Sequence, residues 1–171
     1  MTSYVALIRA VNISGTGKLA KDQLKAMGEA CGFRGVRTFI ASGNLLFASD
    51  LAEGEVRALI GGRIADHFSK PVPVYIRSAK EMAGVAANNP FTDDKLSRAF
   101  AYFIDDQPVQ AMLDAARDVN GERLALGPRC IYISYGDGIG KTRLKLPAVK
   151  QGTARNMNSV ARIAALLAEM A

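Results

Sequence analysis

The chain has no tryptophan, a single histidine and two cysteines in 171 residues. Cys31 and Cys130 stand far apart and form no CxxC pair, which excludes a zinc site built on paired thiolates and a disulfide framework. Both are expected in the core as small apolar residues. His67 sits beside Phe68, with no Gly-x-Ser-x-Gly and no nearby cysteine, so a hydrolase triad has no support and a helix-end residue is expected. The acidic pairs Asp93-Asp94 and Asp105-Asp106 lack metal-ligand spacing, and neither a metal nor another cofactor is expected. No apolar run approaches the ~18 residues that cross a bilayer. Met1-Thr2-Ser3-Tyr4 leads straight into a strand pattern without a secretory n-region or cleavage site. The expectation is a cytoplasmic protein with no membrane partner.

Acidic residues are missing from one tract. Between Gly138 and Ala168 the chain carries Lys141, Arg143, Lys145, Lys150, Arg155 and Arg162 and no Asp or Glu. That tract supplies six positive charges, which equals the whole net charge of +6; the remainder balances. A second acid-free stretch, Met1 to Lys21, holds Arg9, Lys18 and Lys21. Brought together, the two would make a positive field attractive to phosphate or carboxylate groups. The plainer reading is a solvated basic face.

At this length, with 49% hydrophobic and 22% charged residues, the chain suits one compact domain or two small subdomains. "YVALIRAV" (Tyr4 to Val11) reads as a strand and "NISGTGK" (Asn12 to Lys18) as a loop. Leu24, Met27 and Cys31 recur at helical spacing, with Gly32 placed to end that helix. "VRTFIASGNLLFAS" (Val36 to Ser49) reads as two strands about a Ser-Gly-Asn turn. A helix follows with Val56, Leu59, Ile60, Ile64 and Phe68 on one face, weakened by Gly61 and Gly62. Pro71 precedes the strand "VPVYIR" (Val72 to Arg77). The order strand, helix, strand, strand, helix, strand predicts a ferredoxin-like antiparallel sheet.

Ser78 and Glu81 have the spacing of a capping box for a connecting helix with Met82 and Val85, followed by the polar link "NNPFTDDK". The pattern then restarts. "RAFAYFI" is a strand, Val109, Met112, Leu113 and Ala116 mark a helix, and "RLALGPRCIYISY" is a hairpin turning at Gly127-Pro128. Val160, Ile163, Ala164 and Leu167 define a last amphipathic helix, with Asn156 or Asn158 as cap. The predicted fold is α+β with two ferredoxin-like units, the second degenerate with its final strand weak or missing. The expected divisions are a first unit over 1–77, a connecting helix and linker over 78–97, and a second unit over 98–171.

"SYGDGIGKTRLKLP" tests whether the chain grips a nucleotide. A P-loop needs G-x-x-x-x-G-K-[ST] opening a helix, so that backbone amides and the helix dipole face the phosphates. Gly140-Lys141-Thr142 fits the end, but Tyr135 occupies the first glycine position. "RLKLP" alternates like an extended segment and meets Pro147 at once. "SGTGKL" fails too, with Asn12 at the first glycine position and Leu19 after the lysine. What survives is a looser anion nest from the Gly136 to Gly140 backbone, with Lys141 beside it. An RNA-recognition reading has the topology, but "NLLFAS" lacks the interleaved basic and aromatic residues that stack bases.

Several polar residues sit where neither core nor loop demands them: Arg9, Asn12, Ser42, Asn44, Asp137, Arg155, Asn156 and Asn158. Singly, each is explained as a strand-end charge, turn former or helix cap. These positions also carry a resemblance. "YVALIRAVNISGTGKLAKDQLKAMGEACGFRGVRTFIASGNLLF", "VPVYIRSAKEMAGVAANNPF", "YGDGIGKTRL" and "TARNMNSV" are together similar to the domain of unknown function 1697 (DUF1697) family. The resemblance implies two ferredoxin-like units and supplies no activity. Its shared polar and glycine positions are Arg9, Asn12, Ser42, Gly43, Asn44, Asp137, Gly138, Gly140, Arg155, Asn156 and Asn158. The chain departs from it at Ala10 and Ser14, where the family tends to glycine, and at Met157, where it tends to tryptophan. Those changes remove close backbone approach and a stacking surface.

Three functional expectations follow. The first is a small phosphate- or carboxylate-bearing ligand at a basic loop surface, held by Arg9, Lys141 and Arg155, with Asn12, Asn44 and Asn156 orienting it. The second is a nucleic-acid-binding module without sequence preference, using phosphate contacts. The third is an enzyme on an anionic substrate, with Asp137 as its acid or base.

Overall fold

A computed structural model describes residues 1–9, 19–40, 43–136 and 139–170. The chain divides into two compact units, Met1–Lys80 joined by the residues from Ala165 on, and Glu81–Ala164.

The first unit contains β1 (Thr2–Ile8), α1 (Lys21–Ala30), β2 (Arg34–Thr38), β3 (Asn44–Ser49), α2 (Glu53–Phe68) and β4 (Val74–Ser78). Its antiparallel sheet has the order β2-β3-β1-β4. Tyr4, Ala6 and Ile8 of β1 join Leu45, Phe47 and Ile76 in a core closed by Leu24, Val56, Ile60 and Ile64 of the helices. The intervening Val5 and Leu7 are also fully buried. The alternation expected of this strand is thereby corrected: both of its faces are buried, as its run of apolar residues requires. Helix α1 lies close on the sheet because Gly28 has no side chain; a Cβ there would stand 2.9 Å from Val36 Cγ1. Gly32, at φ 81°, turns the chain out of α1 as the sequence predicts. Leu59 differs from expectation: the buried stripe of α2 runs through Val56, Ile60 and Ile64, and Leu59 on its flank is exposed. His67 is the penultimate residue of α2, edge-on to the Phe68 ring.

The second unit contains α3 (Ala79–Ala87, from Glu81 on), β5 (Ala99–Phe103), α4 (Gln110–Asp114), β6 (Arg123–Gly127), β7 (Cys130–Ser134), β8 (Thr153–Asn156) and the first part of α5 (Met157–Glu169). Its order, β6-β7-β5-β8, repeats that of the first unit strand for strand. The final strand is therefore present: β8 is short, but it pairs with β5 from Phe100↔Asn156 to Phe103↔Thr153. The degeneracy lies elsewhere. Where the first unit has α2, the described residues here form two single-turn 3-10 segments, Ile139–Lys141 and Pro147–Val149. Within "RLKLP", Lys145 exchanges two backbone hydrogen bonds with Arg117, each 2.9 Å, and Leu146 is extended, while Pro147 opens the second 3-10 segment.

The linker is pinned rather than merely solvated. Asn89 Oδ1 accepts the Phe91 N–H at 3.0 Å, Arg123 pairs with Asp93 at 3.0 and 3.2 Å while lying 4.8 Å over the Phe91 ring, and Ser134 Oγ donates to Asp94. Asp93 and Asp94, expected as loop solvation, fasten the linker to β6 and β7. Glu81, read as part of a capping box, reaches Arg129 at 2.8 Å.

The repeat extends to one unusual position. Arg77 of β4 stands opposite Val5, itself opposite Leu46; Arg155 of β8 stands opposite Ala101, itself opposite Tyr132. Each fourth strand thus places an arginine in the interior beside the central strand.

Candidate functional site

The sequence-derived site residues are divided between the two units, and each is described within its own. In the first unit, Arg9 follows the end of β1, and its N–H donates to Pro73 O at 3.0 Å. Gly43 lies at the same end of the sheet, its carbonyl accepting the Ile8 N–H at 2.9 Å. Asn44 begins β3 and is 1% exposed, with Nδ2 donating to Phe39 O at 2.9 Å. An amide so enclosed builds the hairpin. Asn12, Ser42, Asp137 and Gly138 lie outside the described residues.

In the second unit, Arg155 departs from the role expected of it. It is 7% exposed, and its guanidinium Nη1 donates to Thr153 Oγ1 and to Ala154 O, each at 2.8 Å. Burial lowers its pKa to about 10. The strand alternation that turns Arg155 inward removes it from the surface group of cations. Asn156 Oδ1 accepts the Ser159 N–H at 2.9 Å, the N-cap bond that opens α5, and Asn158 is exposed on the first turn. Met157 is buried.

Gly140 and Lys141 lie on the 3-10 turn Ile139–Lys141, followed by coil rather than by a helix. The P-loop arrangement is therefore not formed. Instead, Lys141 lines a recess of about 200 Å³ with Asn120, Gly121, Glu122, Tyr135, Gly136 and Thr142. Gly121 and Gly136 both have positive φ, 88° and 58°, which turns their peptide groups in ways that L side chains rarely allow. A Cβ on Gly136 would stand 3.9 Å from Gly121 O.

Glu122 enters the same recess. It accepts the Thr142 hydroxyl at 2.6 Å and the Asn120 N–H at 2.5 Å, and these bonds, the first being the larger, hold its carboxyl below its ordinary range. Burial, the Tyr102 hydroxyl and the Glu122 charge together push the Tyr135 phenol far above its ordinary range. The phenol is a neutral hydroxyl at any physiological pH. Chemically, the recess offers an ammonium, a carboxylate, an amide and hydroxyls within one small volume. Sequence reading singled out Lys141 but missed Glu122, Asn120 and Tyr135. Glu122 directly precedes the hairpin, and no spacing rule links it to Thr142; the pairing is made by the fold.

Among the described residues, no group of three His, Cys, Asp or Glu could hold a metal ion, and no helix is long and apolar enough to cross a membrane. The family model described as "Protein of unknown function (DUF1697)" matches residues 1–132. The chain belongs to the DUF1697 family. The match covers most of the chain but ends before "YGDGIGKTRL" and "TARNMNSV". A solved structure, "conserved bacterial protein SP0830 from Streptococcus pneumoniae", is similar over 97% of this chain and 98% of that one, with a TM-score of 0.81 and 22% identity. The DUF1697 fold of two repeated antiparallel sheets is thereby shared, and at that identity the likeness speaks to fold alone. No curated protein matches the chain.

Proposed function

We propose that this DUF1697 protein binds a small hydroxylated anion, a phosphate- or carboxylate-bearing molecule, in the recess of the second unit. One observation carries the reading: Lys141, Gly136 with its positive φ, and Glu122 line one recess of about 200 Å³. A lysine at a glycine turn suits an anionic group. A carboxylate accepts hydroxyl donors and repels a second anion, so it suits the polyol part of a ligand rather than its charge. A volume of about 200 Å³ admits a small molecule and no folded partner.

Thermal shift and isothermal titration with inorganic phosphate, ribose 5-phosphate, gluconate and short oligonucleotides test it. Ribose 5-phosphate or gluconate at about a hundred times its Kd should add roughly 2.7 kcal/mol. Lys141→Ala should abolish the effect, and Glu122→Gln should weaken the hydroxylated probes more than inorganic phosphate. An effect unchanged in Lys141→Ala, or no shift with any small anion, would sink the proposal. Stabilisation by oligonucleotides alone, fading as salt rises, would move the reading to nucleic acid.

A further inference from the structure

The first unit carries a second, quite different concavity. One recess of about 560 Å³ is lined by Met1, Arg34, Gly35, Val36, Arg37, Ala48 and Met170. A second, of about 500 Å³, adds Thr2, Ser3, Ala79 and Lys80 and shares Met1, Ala48 and Met170 with the first. The shared residues make them one trough. Its direction follows from strand register: Arg34 stands opposite Ala48, Ala48 opposite Ser3, and Ser78 beside them opposite Tyr4. The trough therefore crosses the full width of the four-stranded sheet, about 14 Å at the ~4.8 Å spacing of neighbouring strands.

Its walls are apolar and adaptable. Met170 leans over Gly35, where a Cβ would lie 3.7 Å from the methionine Cε. Unbranched thioether side chains shape themselves to an apolar occupant. Its two ends are cationic. Arg37 is already engaged, donating to Leu166 O at 3.0 Å and standing 4.0 Å from Glu169. Arg34 and Lys80, both exposed, belong to no ion pair formed among the described residues.

We propose that this trough binds a straight-chain carboxylate, with its head on the Arg34 guanidinium and its hydrocarbon chain laid across Ala48 toward Ala79. The charge pattern selects this occupant. A neutral lipid would leave the Arg34 end unused, and a compact anion would leave the apolar floor bare. A guanidinium matches a carboxylate with two parallel hydrogen bonds, which an ammonium does not, so the head belongs at Arg34 rather than at Lys80. The volumes lie within the 300–1,000 Å³ typical of small-molecule sites.

Isothermal titration with decanoate, kept below its micelle concentration, tests the proposal, with decanol and decyltrimethylammonium as neutral and cationic counterparts. Decanoate should bind, shifting the backbone amide resonances of Gly35 and Ala48. Decanol should bind about tenfold more weakly, and the cation not at all. Arg34→Glu, at an exposed position that leaves the core untouched, should weaken decanoate about tenfold or more, the size expected for reversing a charge beside a carboxylate. Lys80→Glu should change it little. The proposal is overturned if decanoate does not bind, if decanol binds equally well, or if Arg34→Glu leaves the affinity intact.

Discussion

The same chemical change, glycine to alanine, is expected to have opposite effects at two places, and the space around each Cβ decides the sign. Gly152 leads into β8, and a Cβ there would stand 2.6 Å from Phe103 O and 3.2 Å from Ile104 Cγ2. The first of these is a backbone atom of β5, held by its pairing to Thr153, so it cannot retreat without disturbing the β5–β8 ladder. Overpacking of this kind costs about 1–3 kcal/mol. Gly61 and Gly62 lie in the middle of α2 with no atom within 4 Å of their Cβ positions. There alanine removes the entropic penalty of a mid-helix glycine and should stabilise by about 0.5–1 kcal/mol each. At roughly 2–4 °C per kcal/mol for a chain of this size, Gly152→Ala should lower Tm by roughly 2–12 °C. Gly61→Ala and Gly62→Ala should each raise it by about 1–4 °C. Thermal melts followed by far-ultraviolet circular dichroism, with urea titration for the free energies, read all three. A Gly152→Ala protein as stable as the parent, or alanines in α2 that destabilise, would refute the steric argument.

Asn44→Ala should cost about 1–3 kcal/mol in urea titration, because it strips the Phe39 carbonyl of a buried donor. Tyr132→Phe removes the buried 2.7 Å bond to Val85 O and should cost about 1–2 kcal/mol, read in the same titration. The Asp94 carboxyl is held below its ordinary range first by Ser134 Oγ, and that of Asp93 first by Arg123. A depressed folded-state pKa gives stability that is present above the unfolded value and lost as pH falls through the folded one. Tm should therefore fall as pH drops below about 4, and Ser134→Ala should flatten that slope. An unchanged slope in the variant would mean that Asp94 does not contribute through Ser134.

Apart from β8, the strand and helix sequence of both units was legible because its signals are local. Examples are Gly32 closing α1, the stripe Val56-Ile60-Ile64, and Asn156 capping α5. The shortness of α4 was less so. Val109, Met112, Leu113 and Ala116 have helical spacing, but Val109 is exposed and the helix spans five residues. Burial of Arg155 was illegible for a different reason. Its inward direction depends on register with Ala101, which no neighbouring residue encodes, and a charged side chain in a basic tract reads as surface. The recess shows the same division. Lys141 announced itself through the glycines around it, whereas Glu122 reaches Thr142 across twenty positions of chain. Grouping the cations by sequence overstated the charge available at one place, since Arg155 is internal.

The division of the chain has a consequence for synthesis. The first unit includes residues from Ala165 onward: Leu167 is fully buried, and Leu166 O accepts the Arg37 guanidinium at 3.0 Å. Domains generally fold in order as they leave the ribosome. Here part of the first unit is supplied by residues made more than a hundred positions after its earliest strands. Until then β2, an edge strand of its sheet, lacks the carbonyl that engages Arg37. A chain truncated before residue 165 should therefore be more protease-sensitive in its first unit than one that includes Leu166 and Leu167.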